Sequence, residues 1–273
     1  MRVVQLSDTH LMPGGAPFRE IADTSAALAR AAETIAGLAE RVGPIDLVLV
    51  TGDLVEEGDA ESYARFRELT AAIPAPMAVI PGNHDDREEL RAAFADQPQM
   101  PRSGPVNWRL DLRGATVVGL DSLVDGAPHG ALPPETLDWL RRAIAGLPDT
   151  PLIVAVHHPP FPVGIPFMDG IGLRAPEALL AILAERFGPT LLVAGHVHRT
   201  VMATGGHKAM AIAPSPSHAI ALDADPEAPL TLTLEPGGVL LHELRQVAGQ
   251  PRFVSQLVPV GPAPESRPFV PES

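Results

Sequence analysis

The chain has 273 residues, 45% hydrophobic and 19% charged, which suits one large globular domain, or a domain with a small appendage, and excludes a disordered chain. It has no cysteine, so disulfides, thiolate nucleophiles and cysteine zinc sites are excluded, and any metal must be held by His, Asp, Glu or Asn. A formal charge of −13, with Lys208 as the only lysine, argues against a nucleic-acid polymer as partner, because phosphate binding leaves a basic patch.

The elements follow in chain order. A strand is expected at 3–6, reaching the polar Ser7-Asp8-Thr9-His10 too soon for a signal sequence with its core of roughly 7–15 apolar residues. No apolar run approaches the ~20 residues of a membrane span. A cytoplasmic protein with no membrane partner is therefore expected. A helix from about 24 to 42 follows, with Ile21, Leu28, Ile35, Leu38 and Val42 near helical spacing and Gly43-Pro44 stopping it. A strand at 47–50 leads to a helix that starts at Asp59 as N-cap and carries Tyr63, Phe66 and Leu69 on one face. Strands at 77–80, 117–120, 152–156 and 191–193 then alternate with helices near 85–95, 134–145 and 176–187. Several strands are apolar throughout, as strands buried on both faces are, and the alternation implies an α/β layered fold.

After His198 the pattern changes to strands without helices, at 201–203, 209–213, 230–234, 239–244 and 253–258. Gly205-Gly206 and Pro236-Gly237-Gly238 supply turns. An antiparallel sheet or small cap on the α/β part is expected. Three segments result: a core over 1–200, C-terminal strands over 201–258 that complete the second sheet and cap, and a Pro-rich tail over 259–273.

Polar residues cluster where the apolar strands stop, at Asp8-Thr9-His10, Thr51-Gly52-Asp53, Gly82-Asn83-His84-Asp85, His157-His158 and Gly195-His196-Val197-His198. Ligands of open α/β sheets bind at the carboxyl ends of the strands. One rim therefore receives Asp8, His10, Asp53, Asn83, His157, His196 and His198. In Asp8-x-His10 and His196-x-His198 the paired side chains share one side of an extended segment. Imidazole, carboxylate and amide donors suit Mn, Fe, Zn or Co, whereas calcium would want oxygen only. Seven donors exceed one tetrahedral site and suit two divalent metal ions about 3.5–4 Å apart that share a carboxylate.

These five motifs, in this order, resemble those of the calcineurin-like metallophosphoesterases. The phrases Gly82-Asn83-His84-Asp85-Asp86 and His157-His158-Pro159-Pro160-Phe161-Pro162 are most similar to the class III cyclic-nucleotide phosphodiesterases and related bacterial glycerophosphodiesterases. The resemblance covers roughly residues 1–200. It implies a four-layer α/β/β/α sandwich with a small C-terminal β-rich cap or dimerisation segment, and hence a homodimer or higher homo-oligomer. It implies one metal held by Asp8, His10, Asp53 and His198, and another by Asp53, Asn83, His157 and His196, with Asp53 bridging. His84 would be catalytic without being a ligand, and Asn83, His84 and His218 would contact substrate. The implied activity is hydrolysis of small phosphodiesters, 3',5'-cyclic nucleotides or glycerophosphodiesters, by a metal-held hydroxide. The alternatives are a phosphomonoesterase, a phosphonate-ester hydrolase, a nuclease disfavoured by the charge, and a scaffold disfavoured by the complete ligand set.

Other residues carry plainer expectations. His158 is read as structural or supporting a ligand. Asp85 or Asp86 is read as a helix cap, the alternative being a carboxylate that orients His84. His129, His207 and His242 are read as surface or strand residues. Phe161, Phe167 and Met168 are read as either pocket wall or packing, and Trp108 and Trp139 as core.

Overall fold

The computed structural model describes residues 1–205 and 208–261. His207, half of the Gly205-Gly206 turn and most of the expected tail lie outside the described residues. The first half runs β1 (Arg2–Leu6), α1 (Thr24–Val42), β2 (Leu47–Thr51), α2 (Ala60–Thr70), β3 (Met77–Ile80), α3 (Arg87–Ala93), β4 (Trp108–Leu112), β5 (Ala115–Leu120), β6 (Gly130–Ala131) and α4 (Pro134–Ile144). The second half runs β7 (Leu152–Val156), α5 (Pro166–Gly170), β8 (Leu173–Arg174), α6 (Glu177–Ala184), β9 (Thr190–Ala194), β10 (Val201–Gly205), β11 (Lys208–Ile212), β12 (Ala219–Ile220), β13 (Leu232–Thr233), β14 (Gly238–Val247) and β15 (Gln250–Pro259).

Two sheets carry the architecture, in the orders β15-β14-β1-β2-β3 and β10-β11-β9-β7-β5-β4. The strands β1, β2 and β3 are parallel in the first, and β5, β7, β9 and β11 in the second. The two-residue period of a strand sorts their side chains into layers. On β7, Ile153 and Ala155 join the core shared with the first sheet, whereas Leu152, Val154 and Val156 pack with Leu140 of α4 and Leu179 of α6. Leu28, Ile35, Phe66 and Leu90 of α1, α2 and α3 cover the first sheet. The result is the four-layer α/β/β/α sandwich that the motifs imply. α1 begins where expected because the Asp23 side chain accepts from the Ala26 N–H. Ile21, counted on that helix's apolar face, precedes it and is exposed.

The strands after His198 do not stand apart as their own sheet. Those at Val201–Gly205 and Lys208–Ile212 lengthen the second sheet, with β11 parallel to β9, and those at Gly238–Val247 and Gln250–Pro259 lengthen the first, with β14 antiparallel to β1. Each satisfies a row of backbone groups that the core sheet leaves open. Only β12 and β13 pair separately, and the strand expected at 230–234 shrinks to Leu232–Thr233. β4 has no counterpart among the predicted strands, since Arg109 and Asp111 give an edge strand a polar pattern. Its Trp108 is core, and its indole N–H donates to the Val79 carbonyl at 2.7 Å, tying the two sheets together. Trp139 is only half-buried, on the outer helix layer.

His242 departs most from a surface reading: it is fully buried on β14. Its Nδ1 meets Ser255 Oγ at 2.7 Å and its Nε2 meets Gln5 Oε1 at 3.0 Å. The buried Gln5 amide donates to Thr51 Oγ1 at 2.9 Å and to the Ala194 carbonyl at 2.8 Å. A polar brace thus crosses both sheets one residue short of the Gly52-Asp53 and Gly195-His196 corners. Gln5→Leu removes the amide's bonds to Thr51 Oγ1 and the Ala194 carbonyl and leaves the buried His242 Nε2 without its partner, at an expected cost of about 1–3 kcal/mol, read as a lowered denaturation midpoint. Burial also pushes His242 down to about 3 from 6.5, so the unfolded chain takes up its proton first. Stability should therefore fall as pH drops from about 6.5 towards 3, less steeply in His242→Gln. Equal slopes in acid denaturation series of the two proteins would refute this.

Candidate metal centre

Every expected ligand follows a parallel strand. Asp8 and His10 follow β1, Asp53 follows β2, Asn83 follows β3, His157 follows β7, and His196 and His198 follow β9. The two rims meet across the sandwich. His157 Nδ1 donates to the Thr51 carbonyl at 2.8 Å, the His196 N–H donates to Asp8 Oδ1 at 2.9 Å, and Ser215 Oγ donates to the Asp8 carbonyl at 2.7 Å. Among the described residues, five of the nine non-glycine residues with positive φ are Asp8 (55°), His10 (43°), Asp53 (50°), His196 (72°) and His198 (56°). Left-handed backbone costs energy for such residues and is held by its surroundings at functional sites. Gly52 turns with φ 96°, and a Cβ there would collide with the His157 ring and the Gly82 N–H.

The structure brings the seven expected ligands together. Asp8, His10, Asp53 and His198 are all buried and bring one donor atom each within 4.8 Å of one another. His10 Nε2 lies 3.1 Å from His198 Nε2 and 3.5 Å from Asp53 Oδ2. On the other side, His157 Nε2 lies 3.2 Å from Asp53 Oδ2 and 3.3 Å from Asn83 Oδ1. His196 stands beside His157, with ring centroids 5.2 Å apart. Because His157 donates through Nδ1, its Nε2 faces two oxygens that can only accept, a position that a ring proton or a cation must fill. Asp8 Oδ2, His196 Nε2 and His198 Nδ1 are buried without a hydrogen-bond partner. Donors about 2.0–2.2 Å from a divalent ion lie about 3.0–3.5 Å apart, which is the spacing found here. The residues therefore fit divalent ions.

The electrostatics agree. Burial lifts the Asp8 carboxyl to about 6, with Asp53 repelling it and His157 opposing the rise. Burial also works against charge on Asp53, but His157, His10 and His84 outweigh it and hold the carboxyl well below its usual range. His157 is driven up to about 9, because Asp53 and Asp8 overcome its burial. His196 falls to about 3 through burial and the neighbouring His157, and His198 is lowered by burial, His10 and His218. Neutral imidazoles keep the lone pair that a metal needs, while protons on His10 and His157 fill the place of cations.

His84 is at the surface of the cluster, with a side chain 36% exposed. Its N–H donates to Asp53 Oδ1 at 2.9 Å, and its Nδ1 lies 3.2 Å from the Glu56 carbonyl and 3.3 Å from Glu56 Oε2. Glu56 Oε2 also accepts from His10 Nδ1 at 2.7 Å, so one carboxylate orients a candidate metal donor and His84 together. Neither Asp85 nor Asp86 orients His84. Asp86 caps α3 by accepting from Glu88 and Glu89, which starts that helix at Arg87 rather than 85. The buried Asp85 accepts from Gly82, Leu54 and Tyr63. His158 is buried beside His157 and His196 and meets Ser122 Oγ at 2.8 Å through Nδ1. His218 joins from the loop after β11, its ring 4.6 Å from that of His198 and its buried Nε2 unpaired. A cavity of about 470 Å³ opens over the centre and takes in Asn83, His84, His218, Phe167 and Met168. Phe161 packs between the outer core clusters instead, and His129 is half-buried away from this cavity. Glu56 and Phe18, which also lines the cavity, escape the sequence reading. The one signal for Glu56 is its place three residues after Asp53.

A family model for the calcineurin-like phosphoesterases matches residues 1–200. The chain is 40% identical over 198 residues to the 3',5'-cyclic adenosine monophosphate phosphodiesterase CpdA of Pseudomonas aeruginosa, covering 72% of this chain and 69% of that protein. It is 33% identical over 258 residues to the glycerophosphodiester phosphodiesterase GpdQ of Enterobacter lignolyticus, covering 92% and 88%. A dimetal phosphatase from Danio rerio shares the fold with a TM-score of 0.61 at 13% identity, over 93% of this chain and 98% of that one. Adding manganese to metal-stripped protein should raise its unfolding temperature by about 5–10 °C at 100 times the dissociation constant. Asp53→Ala should abolish that rise; an undiminished rise in scanning fluorimetry would remove Asp53 from the centre.

Proposed function

This chain belongs to the calcineurin-like phosphoesterase family, and from that premise we propose a two-metal phosphodiesterase that hydrolyses small phosphodiesters, 3',5'-cyclic nucleotides or glycerophosphodiesters. One observation carries the reading: Asp53 Oδ2 stands between His10 Nε2 at 3.5 Å and His157 Nε2 at 3.2 Å, where a carboxylate shared by two ions belongs. Asp8, His10, Asp53 and His198 would hold one ion, and Asp53, Asn83, His157 and His196 the other. When bound, the ions supply charge for the phosphoryl oxygens and activate water at neutral pH.

The chain's own residues do the rest. Asn83 and the unpaired Nε2 of His218 face the cavity and would fix the phosphoryl oxygens. His84 points Nδ1 at Glu56, which leaves Nε2 to donate a proton to the departing alcohol oxygen. Glu56 accepts from His84 Nδ1 and fixes the direction of the ring. Relatives named for cyclic-nucleotide and for glycerophosphodiester hydrolysis support the substrate class. The same reading takes the ions from Mn, Fe, Zn and Co, the location as cytoplasmic, and residues 1–200 as the catalytic part. No helix among the described residues is long and apolar enough to cross a membrane. The long edge strand β15 is where a second copy would pair in a homo-oligomer.

Manganese-loaded protein should turn over cyclic AMP, glycerophosphoethanolamine or a synthetic aryl diester faster than an aryl monoester; preference for the monoester would overturn the phosphodiesterase reading. His84→Ala should keep its metal content by elemental analysis and lose about 10²–10⁴-fold in kcat. Asn83→Ala should lose both metal and rate.

A further inference from the structure

The cavity over the metal centre has a second half that the seven ligands, His84 and His218 leave unexplained. One side is a tight turn at 18–22. The Phe18 N–H donates to the Ala22 carbonyl at 2.8 Å and the Ala22 N–H returns to the Phe18 carbonyl at 3.0 Å. The turn holds Arg19 and Glu20 in left-handed backbone, at φ 49° and 65°. It is anchored on the site: the Phe18 ring stacks on His218 at 4.6 Å and 12°, and lies 5.6 Å from His10. Arg19 follows it to the cavity wall, its guanidinium carbon 5.7 Å from the Phe18 ring centroid. Among the described residues, Arg19 is the only Arg or Lys lining the cavity, and no carboxylate pairs with it.

Another part of the lining is apolar and comes from distant parts of the chain. Phe167 of α5, Ile220 of β12, and Leu230 and Leu232 around β13 face the cavity. Phe167 is 52% exposed and Leu230 46%, although both are large and apolar. Leaving such area in water forgoes about 25 cal/mol per Å², and apolar surface at a cavity rim marks where a ligand completes the burial.

We propose that Phe18, Arg19, Phe167, Ile220 and Leu230 form a subsite for the alcohol part of the diester, selecting an apolar or aromatic, uncharged alcohol and rejecting a cationic one. This rests on the phosphodiesterase reading for its reaction, but the selection itself is a matter of binding. A planar alcohol lies against Phe167 and Leu230 and presents its face to the Arg19 guanidinium. A quaternary ammonium entering the same space meets an unpaired positive charge and no carboxylate beside it. Glu56, the nearest acidic side chain in the cavity apart from Asp53, is already engaged by His10 and His84.

Two arms test this on the metal-loaded full chain. In the binding arm, phenyl phosphate and phosphocholine present the same phosphate with different alcohols. The wild type should bind phenyl phosphate at least tenfold more tightly. Arg19→Glu should shift that ratio towards phosphocholine by about tenfold, less at high salt, as expected for reversing one charge near the surface. Phe167→Ser should weaken phenyl phosphate and leave phosphocholine within twofold. In the kinetic arm, the kcat/KM ratio of a phenyl diester to glycerophosphocholine should move with the binding ratio. Metal content equal to wild type checks that each variant keeps its centre. Ratios within twofold of wild type in both variants would overturn the subsite. A wild type that hydrolyses no diester but shows the binding ratios would overturn the phosphodiesterase reading and keep the subsite.

Discussion

Two buried carboxylates, Asp8 and Asp53, set the terms for this molecule. Taking an ionised carboxylate out of water costs several kcal/mol even after relaxation, roughly, and two of them close together repel. Around them the chain places imidazoles, an amide oxygen and almost no permanent cation. The protein alone meets the deficit by protonation, lifting Asp8 to about 6 and His157 to about 9. Divalent ions meet it better, because each donor atom already points inward and Asp8 Oδ2, His196 Nε2 and His198 Nδ1 have no other partner. The need for cations is thus built into the burial pattern as well as into the choice of ligand types.

That demand explains the unusual backbone. A donor cluster assembled from five strand ends must be held while its members repel one another. The sandwich does this with contacts that run between the sheets, not along them. His157 reaches across to the Thr51 carbonyl, His196 to Asp8, and Trp108 to the Val79 carbonyl. Beneath them, Ser255, His242, Gln5, Thr51 and Ala194 form a buried polar chain from the edge strand to the second sheet. Polar groups in a core are costly unless all are paired, and here the pairing joins the two sheets directly below the ligand corners. The left-handed conformations of Asp8, Asp53, His196 and His198 are the local expression of this constraint.

The candidate ligands were legible in the sequence because strand ends are: an apolar run followed by a Gly, Asp or His needs no knowledge of tertiary neighbours. The layered α/β class was legible for the same reason, from periodicity alone. What escaped depends on contacts between distant segments. Glu56 looks like any acidic residue after a strand until His10 and His84 converge on it. Phe18 lies in a Gly/Pro-rich loop without periodicity, and its stacking on His218 joins residues 200 positions apart in the chain. Gln5 and His242 sit in strands where a polar residue reads as surface, and only the sheet order buries them. β4 is legible as well: Trp108-Arg109-Leu110-Asp111-Leu112 alternates strictly, as a half-buried edge strand does, and differs only from the uniformly apolar strands of the sheet centres.

The overall charge of −13 and the chemistry at the centre are compatible once position is considered. Two divalent ions would take the formal charge to −9, and they would do so at the bottom of a cavity whose acidic side chains are Asp53 and Glu56. The long-range field still opposes a polyanion lying across the surface. A small diester with one negative charge would face that field only briefly before a region where bound ions, imidazoles and Arg19 would reverse its sign. The field would also concentrate cationic alcohols near the protein, so discrimination against them must be local. An unpaired guanidinium at the wall of the cavity that exposed Phe167 and Leu230 also line would supply that local sign change.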